Sequence, residues 1–173
     1  MKDYVVLVDD QDQVVGATPK LKAHQLGKLH RAFSVFIFNA KSEMLLQQRA
    51  KDKYHSAGLW TNACCSHPKP GEEIQAAAHR RLFEEMGFDC ALTKAFQFIY
   101  KTEFENGLTE HELDHVFIGR YDGLVVANGD EVNNYKWIQV KSLQEEVNLH
   151  PEFYTSWFKI ALKKVINFQL GAI

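Results

Sequence analysis

TNACCSHPKPGEEIQAAAHRRLFEEMGF, residues 61–88, places a cysteine pair, a histidine, a Pro/Gly turn and a charged helix in one short stretch. Pro68-Lys69-Pro70-Gly71 cannot continue regular structure, because its prolines fix φ and lack an N–H donor. Glu72 and Glu73 then open a run free of Pro and Gly until Gly87, a suitable residue to end a helix in the left-handed conformation. The stretch therefore predicts an extended segment, a turn and a helix of about four turns.

At about 100° per residue, Ile74, Ala78, Leu82, Met86 and Phe83 cover half of that helix. Glu85 falls between Ile74 and Ala78, inside the apolar arc, and Arg81 lies at its edge. A purely structural helix puts its charges opposite the core, so these two are candidates for a site at the core margin. An Arg81–Glu85 salt bridge on a solvated face is the alternative, and the wheel leaves both open.

Outward from this stretch, the totals narrow the function classes. The chain has 173 residues, enough for one domain with a real core. Apolar residues make up 46% and charged residues 24%, ordinary for a globular protein. A formal charge of −2 gives no general attraction to nucleic acid or anionic membrane. An anionic ligand would need locally placed cations. Eight histidines make a metal site worth seeking, and three cysteines, two adjacent, form no disulfide framework. Reduced thiols are expected. The opening MKDYVVLVDDQDQVVG has no signal-peptide character, and no segment approaches the roughly 20 apolar residues of a membrane span. The cytoplasm is the expected location.

Along the chain, Tyr4–Val8 reads as a first strand and Gln13–Gly16 as its return, followed by a basic segment with Lys20, Lys22 and Lys28 around His24. Ala32–Phe38 (AFSVFIF) and Met44–Gln48 read as a hairpin, and Arg49–Gly58, which includes Tyr54, as a loop. Phe96–Phe104 and Glu110–Tyr121 are strands around an Asn106-Gly107 turn. Gly123–Ala127 begins another segment, Tyr135–Val140 is a late strand and Leu143–Val147 a short helix. Pro151 opens a terminal helix through about Phe168, with Phe153, Trp157, Ile160, Ala161, Val165 and Phe168 on its apolar side. This order predicts a single α+β domain with a mostly antiparallel or mixed sheet.

Glu110 and Glu112 are two apart on a strand and share one face. With His67, and with His24 and His30 flanking the basic segment, they form an imidazole and carboxylate set suited to a divalent ion. Surface histidines on an exposed acidic strand are the alternative, since the spacings match no zinc signature. Cys65, close to His67, is a candidate acid, base or nucleophile. A buried structural thiol is the common alternative, and is the reading for Cys64 and Cys90. Lys20, Arg49, Lys53 and Arg81 lie near these segments, with side chains suited to phosphate.

Residues 66–88 resemble the Nudix box: a glycine, five residues, Glu, seven residues, Arg-Glu, apolar, any, Glu-Glu, any, Gly, apolar. Glu72, Arg80, Leu82, Glu84, Glu85, Gly87 and Phe88 match, whereas Ser66 replaces the first Gly and Arg81 the Glu after Arg80. In Nudix hydrolases that Glu helps hold the metal for diphosphate hydrolysis, so Arg81 argues against hydrolase chemistry. Leu29–Asn39 (LHRAFSVFIFN), Leu45–Ala50 (LLQQRA), Leu59–Pro68 (LWTNACCSHP) and Glu110–Phe117 (EHELDHVF) resemble the type 1 isopentenyl-diphosphate isomerases, enzymes on a Nudix fold. The resemblance implies an α/β/α sandwich with a mixed central sheet. It makes His24, His30, His67, Glu110 and Glu112 ligands of one divalent ion, zinc, manganese or magnesium. Cys65 is then the catalytic thiol and Glu112 the catalytic carboxylate, with Tyr100 beside it.

By the same resemblance Glu85 holds a Mg²⁺ that bridges to the substrate diphosphate. Lys20, Arg49, Lys53 and Arg81 contact that diphosphate, and Trp157 caps the hydrocarbon pocket. The implied reaction interconverts isopentenyl and dimethylallyl diphosphate, small homoallylic and allylic substrates, through a tertiary carbocation. No nucleic acid or membrane partner is implied, and a monomer or small homo-oligomer is expected. A Nudix hydrolase and a non-catalytic binding module on the same scaffold are the alternatives.

Overall fold

The computed structural model describes residues 3–53 and 55–171; Tyr54, part of the expected loop, lies outside them. Nine strands form one sheet among the described residues: β1 (Tyr4–Val8), β2 (Val14–Pro19), β3 (His30–Phe38), β4 (Glu43–Arg49), β5 (Trp60–Asn62), β6 (Cys64–Ser66), β7 (Leu92–Glu103), β8 (Thr109–Arg120) and β9 (Val132–Gln139). Four helices accompany them: α1 (Lys20–Leu26), α2 (Ile74–Met86), α3 (Val140–Leu149) and α4 (Ser156–Gly171).

The apolar strand β3 lies in the middle because it is buried on both faces. It runs parallel to β8 from His30↔Glu112 to Phe38↔Arg120, and antiparallel to β6. β7 and β8 form a long hairpin, while β4 pairs with β9 and β5. Alternation along β3 then defines two layers. Phe33, Val35 and Ile37 pack with Ala77, Ala78, Leu82 and Met86 of α2. Phe36 and Phe38 pack with Trp157, Phe158, Ala161 and Val165 of α4. The mixed sheet between helices is the expected α/β/α sandwich.

Several local expectations are corrected. β3 and β4 meet at one residue pair, Phe38↔Met44, rather than along a hairpin, because β6 and β8 take the edges of β3. The basic segment after β2 is a helix, α1. Pro151–Phe153 is a separate 3₁₀ turn, so the terminal helix starts at Ser156. Phe83, Phe153, Ile160 and Phe168 are exposed rather than core residues.

Gly87 ends α2 as expected, at φ 74° in the left-handed region, with its N–H on the Phe83 carbonyl. A Cβ there would run into the Val126 carbonyl as well as being strained. Gly87→Ala should therefore lower stability by more than about 1 kcal/mol, read as a shift in the urea midpoint. A neutral substitution would show that this helix end is not so constrained.

Candidate functional site

The two-residue period of β8 turns Glu110, Glu112 and Asp114 to the α4 side of the sheet. β3 places His30 opposite Glu112, and β7 places Tyr100 on its other flank. The Tyr100 hydroxyl donates to Glu112 Oε2 at 2.6 Å, and at 3.3 Å it reaches Glu110 Oε2. His67 Nε2 lies 2.9 Å and His30 Nε2 3.3 Å from Glu112 Oε1. α1 adds His24, whose ring centroid is 5.1 Å from that of His30.

His24, His30, His67 and Glu112 bring one donor atom each to within 4.8 Å of one another. The His30 Nδ1–H donates to the Lys28 carbonyl at 2.8 Å. In the neutral ring, Nε2 then points its lone pair at the Glu112 carboxylate, an opposition that a cation between them relieves. Burial and the neighbouring His30 push His24 down to about 3, and burial and Lys20 push His67 down to about 4. Both rings are neutral at pH 7, the form that ligates. Burial works to raise Glu112, but His67 and His30 outweigh it and hold the carboxyl well below its usual range. Three imidazoles and a carboxylate fit a divalent cation.

Glu110 stands apart from these four donors. Its Oε1 is 3.2 Å from His55 Nε2, and burial with the nearby Glu112 charge raises its carboxyl well above the usual range. His55 went unnoticed in the sequence because it sits in a polar loop without periodicity. It is buried all the same, stacked on Phe104 with centroids 4.9 Å apart.

Cys65, on β6, faces the same space. Its Sγ–H donates to Asn62 Oδ1 at 2.9 Å and accepts the Trp157 indole N–H at 3.0 Å. Asn62 is fixed in turn by the Val35 and Cys64 carbonyls. Trp157 arrives because the start of α4 is pinned to β5, through Thr155 N–H on the Trp60 carbonyl and the Thr155 and Thr61 hydroxyls at 3.0 Å. Burial, and after it Asp114, push the Cys65 thiol up to about 12. Asp114, bonded by Ser34 at 2.7 Å, is itself driven well above the carboxylate range by burial, so burial dominates at the thiol. Asn62, Ser34 and Asp114 also escaped the sequence reading; the short polar side chains lie within runs that look only like strand.

Cys65, Tyr100, Glu110, Glu112 and Trp157 line a cavity of about 30 Å³. Beside it lies a basic cavity of about 580 Å³, lined among others by Lys53, Lys69, Arg80 and Arg81. Lys20 borders both cavities, and Arg49 borders the small one, with its guanidinium 5.3 Å from the Trp157 ring centroid. The Arg81–Glu85 ion pair exists at 2.6 Å, but Glu85 is buried rather than on a solvated face. Gln47 donates to the other Glu85 oxygen at 2.8 Å. Lys53 pairs with Glu131, whose other oxygen is 3.4 Å from Arg81. Most of the expected site residues thus line the two adjoining cavities, while His24 and His30 cluster with His67 and Glu112, and Glu85 pairs with Arg81.

The Nudix domain family matches residues 28–158. The chain is 53% identical to isopentenyl-diphosphate Delta-isomerase 2 of Aromatoleum aromaticum, over 96% of this chain and 88% of that one. It belongs to the Nudix-domain isopentenyl-diphosphate isomerase family. A second member, isopentenyl-diphosphate Delta-isomerase 2 of Photorhabdus laumondii, is 54% identical over 96% of this chain and 92% of its own. In fold, a Deinococcus radiodurans crystal structure superposes with a TM-score of 0.71 at 16% identity, covering 85% of this chain and 90% of that one.

A raised thiol pKa has a direct readout. Alkylation of Cys65 by iodoacetamide, followed by peptide mass spectrometry, should rise with pH without a plateau up to about pH 10. A plateau with its midpoint near the ordinary thiol value of about 8.5 would contradict the buried, protonated thiol.

Proposed function

We infer that the protein interconverts isopentenyl diphosphate and dimethylallyl diphosphate. The observation that carries this is the meeting of a buried thiol, Cys65, and a buried carboxylate, Glu112, on one small cavity beside a basic one. Moving an unactivated double bond needs a proton placed on one carbon and another taken from a different carbon. The intermediate is a tertiary carbocation, which water would trap, so the reacting space must be dry.

Cys65 and Glu112 meet these needs. The resting pair is thiol and carboxylate, one proton donor and one acceptor. In each turnover the donor gives its proton to the substrate and the acceptor takes one from it. Exchange with solvent or between the two groups then resets the pair. Asn62 and the Trp157 indole aim the Cys65 sulfur, and Tyr100 aims the Glu112 carboxylate. The ring faces of Trp157 and Tyr100 add roughly 0.5–2 kcal/mol each towards a desolvated cation.

His24, His30, His67 and Glu112 would hold one divalent ion, zinc, manganese or magnesium, with Glu110 as a further oxygen donor. A bound cation there fixes the orientation of Glu112 and keeps it ionised. Lys20, Arg49, Lys53 and Arg81 bind the diphosphate, which is unchanged in the reaction and supplies binding energy to position the five-carbon end. Glu85 would hold a Mg²⁺ on that side: Arg81 and Gln47 each take one lone pair of its carboxylate, which leaves acceptor capacity on both oxygens for a cation that would offset the diphosphate charge. The free thiol supports a reducing compartment, the cytoplasm. No described helix is long and apolar enough to cross a membrane.

With Mg²⁺ and isopentenyl diphosphate in D₂O, NMR should show deuterium entering the carbon skeleton, dimethylallyl diphosphate forming and the diphosphate intact. Release of inorganic phosphate, or no exchange at full metal occupancy, would overturn this function. Cys65→Ala and Glu112→Gln should each lose at least about 100-fold in kcat while remaining folded. Full activity in either variant removes that group from the proton transfers.

A further inference from the structure

The segment 50–58 carries Lys53 to the basic cavity and, two residues on, His55 to the polar one. His55 is its anchor: within residues 51–58, among those described, it alone is buried. Its ring stacks on Phe104 and stands edge-on to Trp157, at 6.2 Å and 88°. Both ring nitrogens are engaged. Nε2 is 3.2 Å from Glu110 Oε1, and Nδ1 is 3.4 Å from the Ser56 hydroxyl. Once Glu110 is ionised, as a carboxylate that ligates a cation must be, its oxygens can only accept, so Nε2 carries the proton, and in the neutral ring Nδ1 accepts from Ser56.

That tautomer leaves no nitrogen free to ligate. His55 nevertheless borders the metal-ligand cluster, its centroid 5.6 Å from that of His24. A carboxylate ligand of a buried cation is generally oriented by a hydrogen bond from a neighbour, and losing that neighbour costs about 10–100-fold in metal affinity. The small cavity, about 30 Å³, has room for little more than a water. Admitting a five-carbon chain therefore requires some of its lining to move, and His55 is lining carried on a surface loop.

We propose that His55 is a positioning residue: its Nε2–H orients Glu110 for the cation of the His/Glu site and so ties the order of segment 50–58, with Lys53, to metal occupancy. The proposal rests on that cluster being a metal centre. It assigns His55 no contact with the metal or the reacting carbons. His55→Phe keeps a ring for Phe104 but removes the donor, and His55→Gln keeps a donor.

The test is Mn²⁺ affinity by chelator competition, with pulsed EPR counting imidazole nitrogens on the ion and amide hydrogen exchange followed over residues 50–58. In wild type, Mn²⁺ should slow exchange in that segment. His55→Phe should bind Mn²⁺ about 10–100-fold more weakly, keep the same imidazole count and lose the metal-dependent protection, with His55→Gln in between. Unchanged affinity and protection in a folded His55→Phe overturns the proposal. So does a fall in the imidazole count, which would make His55 a ligand. Wild type that binds no Mn²⁺ at all refutes the metal centre itself, a separate failure.

Discussion

The Glu112 carboxylate is the constraint on which the site depends. It is buried beneath a sheet and a helix layer, where an unpaired charge is untenable. The His67 ring at one oxygen and a phenol at the other favour its ionised form, and His30 stands opposite as the partner that a shared cation would join to it. Those partners come from β3, the segment after β6, and β7, so the charge is stable only when the sheet is fully assembled. The parallel pairing of β3 with β8 is central, because it alone sets His30 opposite Glu112. Function and fold specificity thus share one polar network.

Across the same cavity the opposite logic governs Cys65. Hydrogen bonds from Thr61, Ser34 and Trp157 favour a thiolate, but burial outweighs them and keeps the proton on sulfur. One wall of the small cavity therefore presents a protonated group and another an ionised one, the separation of roles that the proposed proton transfers need. The basic cavity next door is partly self-neutralised: Glu131 and Glu85 hold Lys53 and Arg81 until an anion competes for them. These carboxylates keep the two cations in place at the cavity wall.

Local pattern made much of this legible. Alternation in EHELDHVF put Glu110 and Glu112 on one face, the Pro/Gly turn and Gly87 bounded α2, and the helical wheel put Glu85 inside the apolar arc, though it left a solvated salt bridge with Arg81 open. The helix order in the last quarter of the chain was also readable, though Tyr154 and Thr155 interrupt it, because their pairing with Trp60 pulls the backbone out of helix. What the local pattern could not show were partners chosen by topology. β3 looked like one arm of a hairpin, yet its long-range partners won. His55, Gln47 and Glu131 sit in or beside unremarkable polar segments, and only the folded chain brings them to Glu110, Glu85 and Arg81. His24 was read only as part of a basic segment, and the helix α1 that buries it was not foreseen.

The central claim is that His24, His30, His67 and Glu112 form one cation centre facing the Cys65 thiol. Anomalous diffraction from crystals loaded with Mn²⁺ tests it most directly. A single strong peak within about 2.0–2.4 Å of donor atoms from all four residues is the predicted result. A peak bound elsewhere, or no peak among these four side chains, would contradict it.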